Sequence, residues 1–336
     1  MKIRQDVPLR DLTTFKIGGP AHTYIYVETA EELPQAYAEA KAVGLPMYPL
    51  GQGSNVLASD DAIQKIVLTL GMKNVTATET PEGVEVVADA GASWDELVNY
   101  VVERELWGIE NLAGIPGTVG AAPVQNIGAY GAEVKDTITW VEAYDPHTEE
   151  IVRIENADCE FSYRDSRFKR SPGLIITRVA FLLKKDGVPS IAYSDLQARL
   201  EAGESLSTPQ EIATIIRSIR AQKFPDLREH GTAGSFFKNP VISKEAYAQL
   251  QEHYPSIPGF AFGGGVKVPL AWILDHVLSL RGFRMGSASL FERQPLVLVA
   301  DRGATKKDVD ALAQQVSEKV FAATNISIER EVQTLE

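Results

Sequence analysis

The chain has 336 residues, 44% of them hydrophobic, enough for more than one buried core and too many for global disorder. Its 45 acidic side chains outweigh 33 Lys and Arg to give a net charge of -12, which speaks against a nucleic-acid binder but leaves room for a local basic pocket around a small anion. The single cysteine, Cys159, excludes an internal disulfide and fits a reducing, cytoplasmic setting, where it reads as a small buried hydrophobe. The charged opening MKIRQDVPLRDLTTF lacks the apolar core of a signal peptide, and no apolar run is long enough to span a membrane.

In chain order, a β-type run HTYIYVE leads to TAEE (Thr29–Glu32), a capping box that predicts a helix over LPQAYAEAKAVG. A second run ends in PLGQGSNVL, and KIVLTL and VEVVADAGA follow as strands. SWDE (Ser93–Glu96) predicts another capped helix over LVNYVVEREL. The glycine-rich stretch NLAGIPGTVGAAPVQNIGAYG fits neither helix nor long strand. WVEAYD, EIVRI and LIITRVAFLL continue the strands, interrupted by FSYRDSRFKR. TPQE (Thr208–Glu211) opens a helix with Ile212, Ile215, Ile216 and Ile219 on one face. QPLVLVA reads as a strand, TKKD (Thr305–Asp308) opens a last helix to about Ala323, and ISIEREV reads as a final strand. That strand needs a partner for its backbone groups and is expected to return to an earlier part of the chain. The alternation of hairpins and crossovers is α+β.

Five stretches carry polar groups in settings that chemistry can use. In PLGQGSNVL, two glycines let N–H groups turn toward a phosphate, with Ser54 and Asn55 as added donors; an ordinary strand-to-turn corner explains the pattern equally well. In Asn111–Gly131, small side chains would let a flat or diphosphate-bearing ligand approach the main chain, with Gln125 and Asn126 as donors and acceptors; the alternative is a buried crossing of two segments. In FSYRDSRFKR, aromatics break what would otherwise be a solvated charge run, and Arg164 is suited to bidentate binding of a carboxylate. GTAGSFFKNP holds Ser235 between a glycine and two phenylalanines, with Asn239 just beyond and Lys223 a short way upstream. In IEREV, Glu329 and Glu331 would share one strand face. No histidine lies in a zinc-binding or metalloprotease pattern, and no G-x-S-x-G elbow is present.

In this order, TTFKIGGPA, LGQGSNVL, GIENLAGIPGTVGAAPVQNIGAYG, YRDSRFK, AGSFFKNP, VKVPLAWILD and IEREV resemble the UDP-N-acetylenolpyruvoylglucosamine reductase (MurB) family over nearly the whole chain, and Tyr193 in AYSDL resembles the tyrosine-bearing loop of its type I branch. The resemblance implies a two-part FAD-binding domain of the vanillyl-alcohol oxidase (PCMH) type and a separate α+β substrate domain. The expected division is 1–70 with 320–336, then 71–205, a connector helix 206–221, and a substrate domain 222–319, with FAD between the first two parts. It implies an enzyme of peptidoglycan synthesis, hence of cell shape and division; a monomer is expected because no heptad or long apolar stripe asks for a partner. The enzyme would carry hydride from NADPH through FAD to the enolpyruvyl ether of a UDP-sugar, giving UDP-N-acetylmuramate.

By the same resemblance Ser235 is the proton donor, with Arg164 and Glu331 completing the catalytic set. Gly51, Gly53, Ser54, Asn55, Pro116, Gly117, Gly120, Gln125, Asn126 and Gly128 would hold FAD. Tyr193, Arg220, Lys223 and Asn239 would contact the UDP-sugar. Three positions depart from the family's pattern: Leu12 and Ala300 stand where asparagine is usual, and Phe291 where histidine is usual. An FAD oxidase of another alcohol and a non-redox sugar-nucleotide binder are the competing readings.

Overall fold

The structure, a computed structural model, describes residues 1–336. The chain forms two compact units, one of residues 1–7, 21–52 and 64–220, the other of residues 8–20, 53–63 and 221–336. No helix is long and apolar enough to cross a membrane.

The N-terminal unit holds two sheets. The first has four strands in the order Lys2–Pro8, Pro20–Val27, Ile63–Leu70, Met47–Pro49, with the helix Leu33–Val43 between its second and last strands in sequence. Leu33, Ala36 and Ala40 of that helix share a core with Ile25, Val27, Ile66 and Leu68 of the strands. The second sheet has five antiparallel strands in the order Glu150–Glu155, Ile138–Asp145, Ile175–Leu183, Gly83–Asp89, Val75–Thr80. Along Gly83–Asp89 buried and half-buried residues alternate strictly, as one covered face requires. The cover is supplied by the helices Trp94–Val102 and Pro209–Lys223, whose Trp94, Leu97, Val98, Ile212, Ile216 and Ile219 are buried in one core with Val86, Val179 and Phe181. Trp94 meets Phe181 edge-on at 5.9 Å. Cys159 is fully buried, and burial pushes its thiol up to about 12, which keeps it neutral and inert as a small apolar side chain.

In the C-terminal unit the helix Lys306–Thr324 packs Val309, Leu312, Val316 and Val320 into a core with Phe15, Leu57, Phe236, Phe237, Leu270, Ile273 and Leu298. Two small three-stranded sheets complete it, one of Val241–Ile242, Gly265–Lys267 and Phe260–Phe262, the other of Arg284–Met285, Ala288–Leu290 and Leu298–Ala300. The last strand is Gln333–Leu335, parallel to Val56–Ala58. The chain end thus does pair with an early segment, but directly after ISIEREV rather than within it: residues 329–331 are bridged only at Arg330, to Phe237.

Of the three expected capping boxes the one at Thr208 forms, and Thr305 at the start of the last helix adds another. Thr208 and Glu211 exchange backbone bonds at 3.2 and 3.1 Å, and Thr305 with Asp308 do so at 3.2 and 2.9 Å. At Thr29 and Ser93 no side-chain cap bond exists. At the first of these a stronger partner has taken the acid: Glu32 holds the N-terminal amine and the Glu28 N–H.

Candidate active site

The GQGSN turn joins the end of Met47–Pro49 to the start of Val56–Ala58. The N–H groups of Gly51, Gln52 and Gly53 have no acceptor within the protein, a run of backbone donors of the kind that meets phosphate oxygens. The glycines here are expected for close approach of a ligand; the structure gives a nearer reason. Gly53 holds φ +62°, and a Cβ on it would lie 2.3 Å from the Leu12 carbonyl oxygen. A Cβ on Gly51 would lie 2.6 Å from Thr118 Oγ1, and one on Gly120 would lie 2.6 Å from the Ala90 Cβ. The protein's own loops need the space, and their close stacking in turn fixes where the unused N–H groups point.

The glycine-rich stretch is pinned down along its middle. Trp94 N–H donates to the Gly117 carbonyl at 3.0 Å, Val119 N–H to Ala92 at 2.9 Å, and Gly120 N–H to Ala90 at 2.9 Å. Gln52 Oε1 accepts the Gly117 N–H at 3.1 Å, tying the two glycine motifs together. Pro116 is exposed beside buried Gly117, and Gln125 is half-buried. Asn126 is fully buried and differs from what its sequence context suggests. Its Nδ2 donates to Glu133 Oε2 and to the Ser162 carbonyl, both at 3.0 Å, and its Oδ1 accepts the Lys135 N–H at 3.1 Å. The side chain is spent inside the protein, so the expected contact of its amide with a cofactor is corrected to a structural one.

Arg164 sits at the tip of a tight turn closed by mutual backbone bonds between Ser162 and Asp165, at 3.0 and 3.3 Å, and has φ +55°. Its Nη2 donates to the Gly128 carbonyl at 2.6 Å, and its Nη1 lies 3.5 Å from the Asn126 carbonyl. Lys169 Nζ holds the Arg164 carbonyl at 3.0 Å, and buried Ser166 donates to Val124 at 2.7 Å, fastening the turn to the glycine-rich stretch. The guanidinium is therefore held by that stretch rather than left on a solvated face.

Further along, Tyr130 meets Tyr193 edge-on at 5.3 Å. The Tyr130 hydroxyl accepts a hydrogen bond from Arg220, and burial pushes it up to about 12, so it stays neutral. Arg220 Nε donates to the Gly114 carbonyl at 2.9 Å. One turn earlier on the same helix, Arg217 makes a forked pair with Asp95, its Nη2 at 2.8 Å and its Nε at 3.1 Å from both carboxylate oxygens. Sequence reasoning picked Arg220 and Tyr193 but passed over Tyr130 and Asp95. The i, i+3 spacing of Arg217 and Arg220 was the available signal for a shared helix face.

Ser235 belongs to the other unit. Gly234 turns the chain with φ +77°, and its neighbourhood would accept a Cβ, so backbone shape alone calls for glycine there. Ser235 bridges Val297, Phe236 N–H donates to Leu296 at 2.9 Å, and Glu331 N–H donates to the Phe236 carbonyl at 2.8 Å. This brings Ser235 and Glu331 onto neighbouring paired segments. Phe236 and Phe237 are each only 1% exposed and meet edge-on at 5.1 Å. The half-buried Ser235 hydroxyl has no hydrogen-bond partner in the protein. Asn55 Nδ2 donates to the Glu331 carbonyl at 3.3 Å, so one residue of the GQGSN turn steadies the glutamate's backbone. Asn239 caps the short helix at Leu270 through Oδ1, at 2.9 Å, which leaves its Nδ2 as a donor, and Lys223 closes the helix Pro209–Lys223, half-buried. Ala300 exchanges backbone bonds with Gly231 at 3.1 and 2.8 Å and is buried, so its departure from the family pattern changes packing in the core.

Residues 21–155 match the FAD binding domain family, and residues 226–335 match the UDP-N-acetylenolpyruvoylglucosamine reductase C-terminal domain family. The UDP-N-acetylenolpyruvoylglucosamine reductase of Pasteurella multocida is 39% identical, over 98% of this chain and 96% of that one. The chain belongs to the UDP-N-acetylenolpyruvoylglucosamine reductase family. The reductase of Neisseria gonorrhoeae is 38% identical over the same shares of the two chains. The crystal structure of the MurB reductase from Thermus caldophilus covers 100% of both chains with a TM-score of 0.70 at 26% identity. The fold is α+β, with an FAD-binding part and a separate reductase C-terminal domain, and the protein is an FAD-containing oxidoreductase of peptidoglycan synthesis. The unused N–H groups of the GQGSN turn, on a loop shaped by glycine, fit the diphosphate of that cofactor.

Proposed function

We propose that the chain reduces the enolpyruvyl ether of UDP-N-acetylenolpyruvoylglucosamine to UDP-N-acetylmuramate with NADPH as the electron source, and that Ser235 supplies the proton. Bound FAD supplies the hydride relay from NADPH to the methylene carbon of the substrate. Gly51, Gly53, Ser54, Asn55, Pro116, Gly117, Gly120, Gln125 and Gly128 are the residues proposed to hold it, the first group by backbone donors. Tyr193, Arg220, Lys223 and Asn239 are proposed to bind the UDP-sugar, the cations meeting its diphosphate. The proposed working parts are a cofactor-binding portion built from 1–70, 71–205 and 320–336, the connector helix 206–221, and a substrate portion from 222–319.

Hydride addition builds negative charge on the carboxylate side of the substrate. A guanidinium stabilises it, which is the role proposed for Arg164. Ser235 then protonates the neighbouring carbon. A hydroxyl is a weak acid, so this works only against a strongly basic carbanion in a place sheltered from water. Glu331, protonated, would help by donating rather than opposing the charge. The observation that carries this reading is the Ser235 hydroxyl itself: it has no protein partner, two buried phenylalanines follow it in the chain, and its segment is backbone-bonded to that of Glu331.

In Ser235→Ala, rapid-mixing traces should show flavin reduction by NADPH at the wild-type rate. Reoxidation of the reduced enzyme by the UDP-sugar should fall by roughly 10²–10⁴-fold. Equal slowing of both half-reactions would remove Ser235 from the proton-transfer step.

A further inference from the structure

Asn126 lies where one residue reaches both ends of Arg164, the turn through its side chain and the guanidinium through its backbone carbonyl. Its Nδ2 holds the Ser162 carbonyl, which closes the turn that carries the Arg164 backbone. Its own carbonyl, together with that of Gly128, faces the Arg164 guanidinium. The residue is 0% exposed, and its φ of +44° is one that asparagine tolerates far better than most side chains. Three hydrogen bonds, to Glu133, Ser162 and Lys135, fix the amide in that conformation. Glu133 is in turn held by Lys135 Nζ at 2.7 Å.

An arginine side chain has large rotamer freedom, and a guanidinium that must meet a developing charge gains from having that freedom removed in advance. We infer that Asn126 is a positioning residue for the proposed charge-stabilising arginine: it acts through Arg164 rather than on cofactor or substrate. Glu133 is the outer support that keeps the Asn126 amide in place. The inference rests on the role of Arg164 proposed above.

The test uses the full-length FAD enzyme. Asn126→Gly keeps the left-handed backbone and the carbonyl that faces the guanidinium, and deletes the amide that holds the turn. Reoxidation of the reduced enzyme by the UDP-sugar should slow by about 10–100-fold, while reduction by NADPH and the FAD content per chain stay within twofold of wild type. In an Arg164→Met background, which is itself slow in reoxidation, Asn126→Gly should add less than twofold. Glu133→Ala, which leaves the Ser162 contact in place, should give the same selective pattern with a smaller loss, and it replaces Asn126→Gly if that variant does not fold. Equal slowing of the two half-reactions, loss of FAD, or full additivity with Arg164→Met would overturn the inference. If Arg164→Met reoxidises at the wild-type rate, the proposed role of Arg164 itself falls, an outcome distinct from additivity.

Discussion

At Gly53 a single hydrogen in place of a side chain decides whether a loop can form. The φ of +62° costs an L-residue about 1–2 kcal/mol, and a Cβ would also strike the Leu12 carbonyl. Gly53→Ala should lower the urea midpoint and reduce the flavin retained after purification, both measured against Gly44→Ala, where nothing lies within 4 Å. Tyr130 sets a pH limit of another kind. Its proton is retained to about 12 in the fold, whereas an unfolded tyrosine releases it near pH 10. The stability tied to that proton is fully present below about pH 10 and is lost as pH rises toward 12. Tyr130→Phe should therefore show a smaller fall in urea midpoint between pH 9 and pH 11 than the parent chain. At this scale the sequence makes the need for glycine plain but not its cause, because the crowding atoms come from Leu12, Thr118 and Ala90, remote in the chain. Asn126 illustrates the same limit: its amide is visible in the sequence, while its three partners appear only on folding.

The helix Pro209–Lys223 shows how an element delivers a side chain to a position. Its start is set by the Thr208–Glu211 box, its buried face by the isoleucines, and its rotation by the forked bond from Arg217 to Asp95. Asp95 also holds the Gly114 N–H at 2.6 Å, and the carbonyl of the same glycine receives Arg220. Asp95→Asn keeps an acceptor for Gly114 but weakens the pair to Arg217. On the role proposed for Arg220, KM for the UDP-sugar should rise roughly fivefold, the equivalent of about 1 kcal/mol. Flavin content should be unchanged; a change confined to the NADPH half-reaction would contradict this. The helices and most strands were readable from period and end signals. Thr29–Glu32 has the right letters, but Glu32 found a charged partner in the N-terminal amine; Ser93–Glu96 has them too, and Ser93 makes no cap bond. ISIEREV has strand composition, yet the ladder forms one step later because Gln333–Leu335 is what meets Val56–Ala58.

Over the whole molecule, local signals have least to say. Nothing in residues 8–20 or 53–63 announces that they belong with a core made mainly of residues beyond 220, since that membership comes from contacts such as Phe15 on Phe236 at 6.3 Å. A fragment of residues 221–336 lacks Phe15, Ile17 and Leu57 and leaves its last strand without a partner. It should show weak near-ultraviolet circular dichroism and no cooperative thermal transition; a sharp transition would mean that the early segments are dispensable. The pairing of Gln333–Leu335 with Val56–Ala58 also sets the order of events at the ribosome. The early strand emerges first and waits roughly a quarter of a minute to a minute for its mate, at about 5–20 residues per second. Until Phe236 and the residues that follow it emerge to cover them, Phe15, Ile17 and Leu57 are uncovered apolar side chains, natural clients for chaperones.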